Sequence, residues 1–451
     1  MNRIVILLLA LLPFGSLAQS KLMGTWNGEI DLGMQKLPLV IHLADSAGTV
    51  VATLDSPLQG AKGIPANATI DGENLKVELP MLMASYDGVL RDGTIEGKFT
   101  QQGHSFALNL TPGDYVPERP QTPKSPFPYV TEDVQFVNPT DSAVLSGTLT
   151  YPIALPFKSK KKAPVVVMVT GSGLQNRDEE VFGHKPFAVW AHQLALNGIA
   201  SLRYDDRDCG KSTGNSDDAT TATFVADAKA AIDMLRQLDK FGSVGVMGHS
   251  EGGTIAFIIA GDGAVDFAVS LAGTAVPGDQ VLVDQNVRIL KTMGLDAMVA
   301  DEYGVGLGRL FDYMKKNPDA KQWNEIDEAL ADLTRLSAEL KGNLQEIISS
   351  EGPWMHFFLN YDPTVAISKI QVPVMAVNGE LDCQVNCDMN LNAIRNKLQE
   401  NAKSEIKSYP GLNHLFQHAR TGLINEYGEI DETISPEVIA DVVNWILKVQ
   451  D

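Results

Sequence analysis

The pentapeptide Gly248-His249-Ser250-Glu251-Gly252 carries the strongest chemical signal in the chain. It follows Ser243 to Met247, which reads as a short strand, and it precedes Thr254 to Ala260, which reads as a helix. A serine at the apex of so sharp a strand-to-helix turn is forced into strained backbone geometry. Its neighbours two before and two after must then be glycine, and its hydroxyl stands exposed above the strand end. Gly253 extends the tight turn. The competing reading is a glycine-rich β-to-α loop that only caps a helix or cradles a phosphate.

A serine hydroxyl becomes a nucleophile when a base takes its proton and a carboxylate fixes the base's tautomer. Both partners follow in order. Val372 to Val377 reads as a strand and leads into Asn378-Gly379-Glu380-Leu381-Asp382, with Asp382 as the acid. Ser404 to Tyr409 reads as the next strand and leads into Pro410-Gly411-Leu412-Asn413-His414, with His414 as the base. Glu380 is a rival acid and His418, one helical turn beyond His414, a rival base. His249 points elsewhere if Ser250 points up. His42, His104, His184, His192 and His356 read as structural or surface histidines.

Acyl transfer places negative charge on the carbonyl oxygen, and preorganised amides must meet it. One donor is the backbone N–H of Glu251. The other comes from Thr170-Gly171-Ser172-Gly173-Leu174, after the apolar strand Val165 to Val169. Ser172 is the expected donor and Gly173 the alternative. No Lys-Ser/Thr pair follows these glycines, so a P-loop is excluded.

These residues need a scaffold, and the texture from about 130 onward supplies one. Val165 to Val169 is continuously apolar, as a strand buried on both faces must be. Pro186 to Leu196 suits a helix, Ile199 to Tyr204 a strand, and Phe224, Ala228, Ala231, Leu235 and Leu238 repeat at helical spacing. Phe267 to Leu271 is a further strand, and Val438 to Ile446 marks a last helix. This alternation implies a mostly parallel sheet covered on both faces. Residues 277–368 break it: they hold no convincing strand, and Ile326, Leu330, Leu333, Leu336, Leu340, Leu344 and Ile347 form a helical stripe. They read as a helical cap inserted between sheet strands.

The N-terminal part has another texture. Residues 19–115 alternate in short segments such as Leu75 to Leu79, separated by Asp71-Gly72, Asp87-Gly88 and Asp92-Gly93, and read as a small β-barrel or sandwich. Such a module serves as a structural or oligomerisation element, or covers a site. Six prolines between 112 and 128 make residues 116–129 an extended linker, and residues 130–451 form the catalytic domain.

Arg3, the apolar run Ile4 to Leu12, the breakers Pro13 and Gly15, and small Ser16 and Ala18 describe a secretory signal over residues 1–18. The expectation is a secreted, periplasmic protein with no membrane insertion once that segment is cut. A formal net charge of -20 argues against nucleic-acid partners and anionic membrane surfaces. Three cysteines without a fourth ligand make a poor zinc site, while Cys383 and Cys387 sit at a spacing that permits a disulfide. No motif calls for a metal, nucleotide or other cofactor.

With these motifs in hand, residues 130–450 resemble the α/β-hydrolase superfamily, in particular its serine aminopeptidase-like branch and the two-domain bacterial carboxylesterases with an N-terminal β domain. The resemblance rests on Gly171-Ser172-Gly173-Leu174-Gln175-Asn176-Arg177-Asp178, Arg203-Tyr204-Asp205-Asp206-Arg207, Gly248 to Gly252 and Gly379-Glu380-Leu381-Asp382. It implies Ser250, Asp382 and His414 as the triad. Leu174, where that group often has proline, and Cys209, where a small residue is usual, depart from the pattern. Arg177, Asp178, Asp205 and Arg207 suggest an ion-pair network that braces the oxyanion loop.

The expected activity is hydrolysis of short to medium acyl esters, a small-molecule substrate, with Trp354, Phe357 and Phe358 lining an acyl pocket. An aminopeptidase or amidase is the alternative; it needs acids in the cap to hold an α-amino group, and Asp301, Glu302, Asp327, Glu328 and Glu351 supply them. A non-catalytic ligand-binding protein is the reading of a different class.

Overall fold

Strict alternation of buried and exposed positions along Asn74–Leu79 is the local signature of the first half of the molecule. The computed structural model describes residues 21–450, apart from 34–35, 47–48, 60, 118, 154–161 and 350–351. The expected signal segment, residues 1–18, and Glu351 lie outside the described residues. The chain divides into two units, Met1–Glu118 and Arg119–Asp451.

The first unit is all β. Strands β1 (Gly24–Asp31), β2 (Lys36–Ser46), β3 (Thr49–Ser56), β4 (Ala61–Asp71), β5 (Asn74–Leu79), β6 (Ala84–Arg91), β7 (Thr94–Gln101) and β8 (His104–Ala107) pair antiparallel in sequence order. The chain then returns to the beginning: the Leu108 and Leu110 amides donate to Gly97 and Ile95, and β9 (Thr111–Pro112) pairs with β1. The last segment thus pairs with β7 at one end and with the start of β1 at the other, which brings the sheet round on itself. Trp26, Leu54, Val77, Tyr86 and Leu110 fill the interior, and the Trp26 indole donates to the Leu22 carbonyl at 2.8 Å. Asp87-Gly88, expected as a turn, lies inside β6. A Cβ on Gly88 would stand 2.6 Å from the Tyr86 hydroxyl, so this glycine makes room for a buried ring rather than for a reversal.

The second unit is an eight-stranded mixed sheet with helices on both faces. Its residues 119–128 do not hang free: Arg119 donates to the carbonyls of Phe182, Gly428 and Ile430, and Gln121 bonds the backbone of Ile434. An antiparallel hairpin, β10 (Tyr129–Val137) and β11 (Val144–Pro152), opens the sheet. There follow β12 (Val165–Val169), α1 (Pro186–Leu196), β13 (Ala200–Tyr204), α2 (Thr221–Gln237), β14 (Val244–His249), α3 (Glu251–Gly261) and β15 (Phe267–Leu271). Six helices come next: α4 (Gly278–Thr292), α5 (Ala297–Lys316), α6 (Ile326–Ala329), α7 (Ala338–Ser349), α8 (Pro353–Asn360) and α9 (Thr364–Ile367). The sheet resumes with β16 (Val374–Gly379), then α10 (Cys387–Lys397), β17 (Glu405–Tyr409) and α11 (Pro436–Val449).

Strand order is β10-β11-β13-β12-β14-β15-β16-β17, parallel from β13 onward. Residues of α2, α3 and α10 pack with one face, and those of α1 and α11 with the other. β12 and β14 are neighbours with Val169 opposite Gly248, so the loops leaving them are adjacent by construction.

The inserted cap has its own apolar core, built on Leu307, Leu310, Phe311, Leu330, Leu333, Leu336, Leu344 and Ile348. The stripe read from Ile326 to Ile347 is not one helix; it breaks between α6 and α7. Two side chains of α5 satisfy backbone groups at the break. Arg309 donates to the Ala329 carbonyl at 2.6 Å, and Glu302 accepts from the Arg335 amide at 2.9 Å.

Candidate active site

The strand-to-helix turn between β14 and α3 is as tight as its glycines imply. Ser250 has φ 55° and ψ -121°, a strained conformation for a residue with a Cβ. A Cβ on Gly248 would fall 1.8 Å from the Gly252 carbonyl oxygen, and one on Gly252 would fall 2.2 Å from that of Val169. No other residue fits at either position, and the close approach keeps Ser250 at the carboxyl edge of the sheet.

Asp382 lies in the loop after β16 and is buried. Its Oδ1 accepts from the Gln384 and Val385 amides at 2.7 and 2.8 Å, which fixes the carboxylate. Its Oδ2 faces His414 Nδ1 at 2.7 Å, from the loop after β17. Ser250 and His414 line the same cavity of about 350 Å³. Glu380 instead accepts from Ser408, and His418 pairs with Glu432 at the surface, so neither rival reaches this arrangement.

Glu251 begins α3, where first-turn amides lack helical acceptors. Across the cavity wall run Gly171 and Ser172. The Gly171 amide is committed to Glu179 Oε1 at 3.0 Å, which leaves the Ser172 and Gly173 amides as the free choices in that loop. Asp206 holds the loop from below. Its carboxylate accepts from the Gln175 amide at 2.9 Å and from Thr170 Oγ1 at 2.9 and 3.0 Å. Burial pushes the Asp206 carboxyl up to about 7, against those hydrogen bonds.

The ion-pair network expected around this loop divides in two. Arg177 meets Asp205 at 2.7 Å and Arg203 meets Asp178 at 2.8 Å, both beside the loop. Arg207 turns away: it pairs with Asp227 of α2 and with Asp141, each at 2.7 Å, and so ties α2 to the β10–β11 turn instead.

The cap supplies the apolar wall. Val281, Leu282, Trp354 and Phe358 line the cavity, the last two stacked at 5.0 Å. Phe357 stacks on Tyr361 and is absent from the lining. Trp354 donates through Nε1 to both oxygens of Glu251, at 2.9 and 3.0 Å, and Thr221 donates to the same carboxylate at 2.6 Å. Of the cap acids, Asp301 binds Lys291 and Glu302 binds Arg335, and neither they nor Asp327 and Glu328 line the cavity. The acids that do are Glu179 and Glu251.

Glu179 escaped the sequence reading, as did any task for His249. All three cysteines are free thiols. Burial pushes the Cys387 thiol up to about 12. Among the described residues no group of three metal-binding side chains is assembled, and no helix is long and apolar enough to cross a membrane.

A family model described as X-Pro dipeptidyl-peptidase (S15 family) matches residues 144–411, from β11 through β17; the match includes Ser250 and Asp382 and stops short of His414. Esterase EstD of Thermotoga maritima is 24% identical over 366 residues, covering 79% of this chain and 75% of that protein. Among solved structures, Est1E of Butyrivibrio proteoclasticus with ferulic acid bound is 18% identical, with a TM-score of 0.42 over 70% of this chain and 99% of that one. Proline iminopeptidase of Mycobacterium smegmatis is 14% identical, with a TM-score of 0.43 over 70% and 98%.

Proposed function

The chain belongs to the X-Pro dipeptidyl-peptidase (S15) family of serine hydrolases, and from that premise we propose that it is a carboxylesterase for short to medium acyl esters, with Ser250, His414 and Asp382 as its triad. The observation that carries the reading is the 2.7 Å contact of His414 with buried Asp382 in the wall of the cavity that Ser250 also lines.

In this mechanism Asp382 holds the Nδ1 proton of His414, which leaves Nε2 to take the Ser250 proton as Oγ attacks the ester carbonyl. The Glu251 and Ser172 amides receive the developing oxyanion. His414 returns the proton to the departing alcohol, and water then repeats the sequence on the acyl-enzyme, releasing the acid and restoring Ser250. A volume of about 350 Å³ with an apolar cap wall suits an acyl chain of modest length. The similarity to Esterase EstD supports the ester preference. The N-terminal segment 1–18 supports export to the periplasm; fractionation of cells that express the full chain tests that point.

The family description favours a second reading, cleavage of peptide or amide bonds. One assay decides: p-nitrophenyl acetate, butyrate and octanoate beside aminoacyl and X-Pro p-nitroanilides, with Ser250→Ala as control. Ester turnover lost in the variant supports the esterase. Preferential anilide cleavage replaces it with the peptidase.

A further inference from the structure

Two buried ionisable side chains at the site have no part in the mechanism above. Glu179 sits in the loop after β12 with φ 52°, a left-handed conformation uncommon for a residue with a Cβ. Its side chain is 4% exposed. The Oε1 atom accepts from the Gly171 amide at 3.0 Å and faces His249 Nδ1 at 2.9 Å. His249 is the last residue of β14, directly before Ser250. Its Nε2 lies 3.0 Å from the carbonyl oxygen of His414, and the two imidazole rings are 4.6 Å apart.

A carbonyl oxygen only accepts, so Nε2 of His249 carries a proton and donates. The Nδ1–Glu179 contact holds a second proton. Burial works against an imidazolium here, and the Glu179 carboxylate more than offsets it, raising His249 above its ordinary range. The result is one unbroken line of hydrogen bonds. It runs from the oxyanion loop at Gly171, through Glu179 and His249 under the nucleophile, to the main chain of the residue that supplies the base.

We propose that Glu179 and His249 are positioning residues that set the oxyanion loop, the Ser250 turn and the His414 loop in register. The three loops leave β12, β14 and β17, and β12 and β17 are not sheet neighbours, so strand pairing alone does not lock the first to the last. Glu179 also consumes the Gly171 amide, which assigns the oxyanion task to the amides that follow it. Both side chains border the cavity, but their hydrogen bonds run to Gly171, to each other and to the His414 carbonyl rather than to the Ser250 hydroxyl or the His414 imidazole. Their effect is on the geometry in which Ser250, His414 and the amide donors meet a transition state, where small displacements are expensive. The inference rests on the triad reading, and its test separates the two.

The test measures the second-order rate at which a fluorophosphonate labels Ser250 in the full-length protein, and kcat and KM on p-nitrophenyl butyrate corrected by active-site titration. Glu179→Ala removes the acceptor for Gly171 and the partner of His249. Glu179→Gln keeps an oxygen acceptor for Gly171, but a neutral amide no longer holds a second proton on His249, so the link to His249 is cut. The expected result is a fall in labelling and in kcat of at least about tenfold for Glu179→Ala, with KM within about twofold. Glu179→Gln, which keeps the Gly171 bond alone, should fall between the parent and Glu179→Ala. Where Glu179→Ala does not fold, Glu179→Asp takes its place, since it keeps the charge but withdraws the carboxylate by one methylene. A parent protein that labels normally beside an Ala or Asp variant within about threefold of it overturns the proposal and leaves the triad standing; so does a Gln variant that labels as fast as the parent, which would make the link to His249 idle. A parent that does not label at Ser250 overturns the triad reading and this inference with it.

Discussion

The loops at the carboxyl edge of the sheet and the helices of the cap line one cavity, the candidate active site, yet they are held by different physics. At the sheet edge, position is dictated by backbone. Gly248 and Gly252 pass within contact distance of carbonyl groups, Asp382 is gripped by two amides, and Asp206 and Glu179 each bind amides of the oxyanion loop. In the cap, position comes from apolar packing around Leu310 and Leu330, with ion pairs such as Arg309–Asp332 on the outside. Backbone-gripped loops tolerate almost no displacement, which is what transition-state geometry needs. Apolar packing tolerates exchange of side chains of similar volume. On the proposed function, the chemistry falls to the rigidly held part and the substrate range to the more forgiving one.

Substitutions can break or sharpen this contrast. The largest effect belongs to the sheet edge: Ser250→Ala should reduce ester turnover by about 10⁴-fold or more with the melting temperature essentially kept. Gly252→Ala comes next. Its Cβ would meet the Val169 carbonyl oxygen at 2.2 Å, so turnover should fall by about 100-fold or more, read beside circular dichroism. In the cap, Leu310→Ala should cost about 2–4 kcal/mol of stability by denaturant titration, with labelling of Ser250 retained in the folded fraction. Trp354→Ala opens the acyl wall and should move the chain-length optimum towards longer esters, changing butyrate turnover by about tenfold. If Trp354→Ala were as damaging as Ser250→Ala, the division of labour between the two regions would fail.

The smallest effect is a pH dependence outside both regions. His184 is buried, bonded to Thr433 and the Tyr427 carbonyl, and burial pushes it from 6.5 down to about 4. The unfolded chain binds that proton at a higher pH than the folded one does. This contribution to stability is therefore present above about pH 6.5 and is lost as pH falls towards 4. Melting temperatures should drop across that window, and His184→Gln should flatten the slope.

How much of this was legible in the sequence follows from the same contrast. The Ser250 turn is readable because only glycine fits at 248 and 252, so a steric need leaves a fixed spacing. Asp382 and His414 are readable because each ends a short loop after a late strand, in the order that follows Ser250 along the chain. Glu179 left no such trace: it is a charged loop residue whose partner, His249, is 70 positions away, and nothing local marks the pair. Arg207 lies outside the network expected to brace the oxyanion loop because charge complementarity does not say which acid lies nearest; Asp227 becomes its partner only once α2 folds across. Asp87-Gly88 looks like a turn, but the Tyr86 ring beside it needs the space. The cap stripe reads as helical throughout because Leu330, Leu333 and Leu336, which lie between α6 and α7, are buried at the same spacing as the helical residues around them.

The central claim is that Ser250 forms the covalent intermediate. Mixing the protein with p-nitrophenyl butyrate, quenching in acid within the first turnover and mapping the adduct by peptide mass spectrometry tests it directly. A butyryl group on Ser250, absent in Ser250→Ala and accumulating in His414→Ala only slowly, is the predicted result. Ester turnover that persists in Ser250→Ala, or a butyryl group on any other residue, would contradict it.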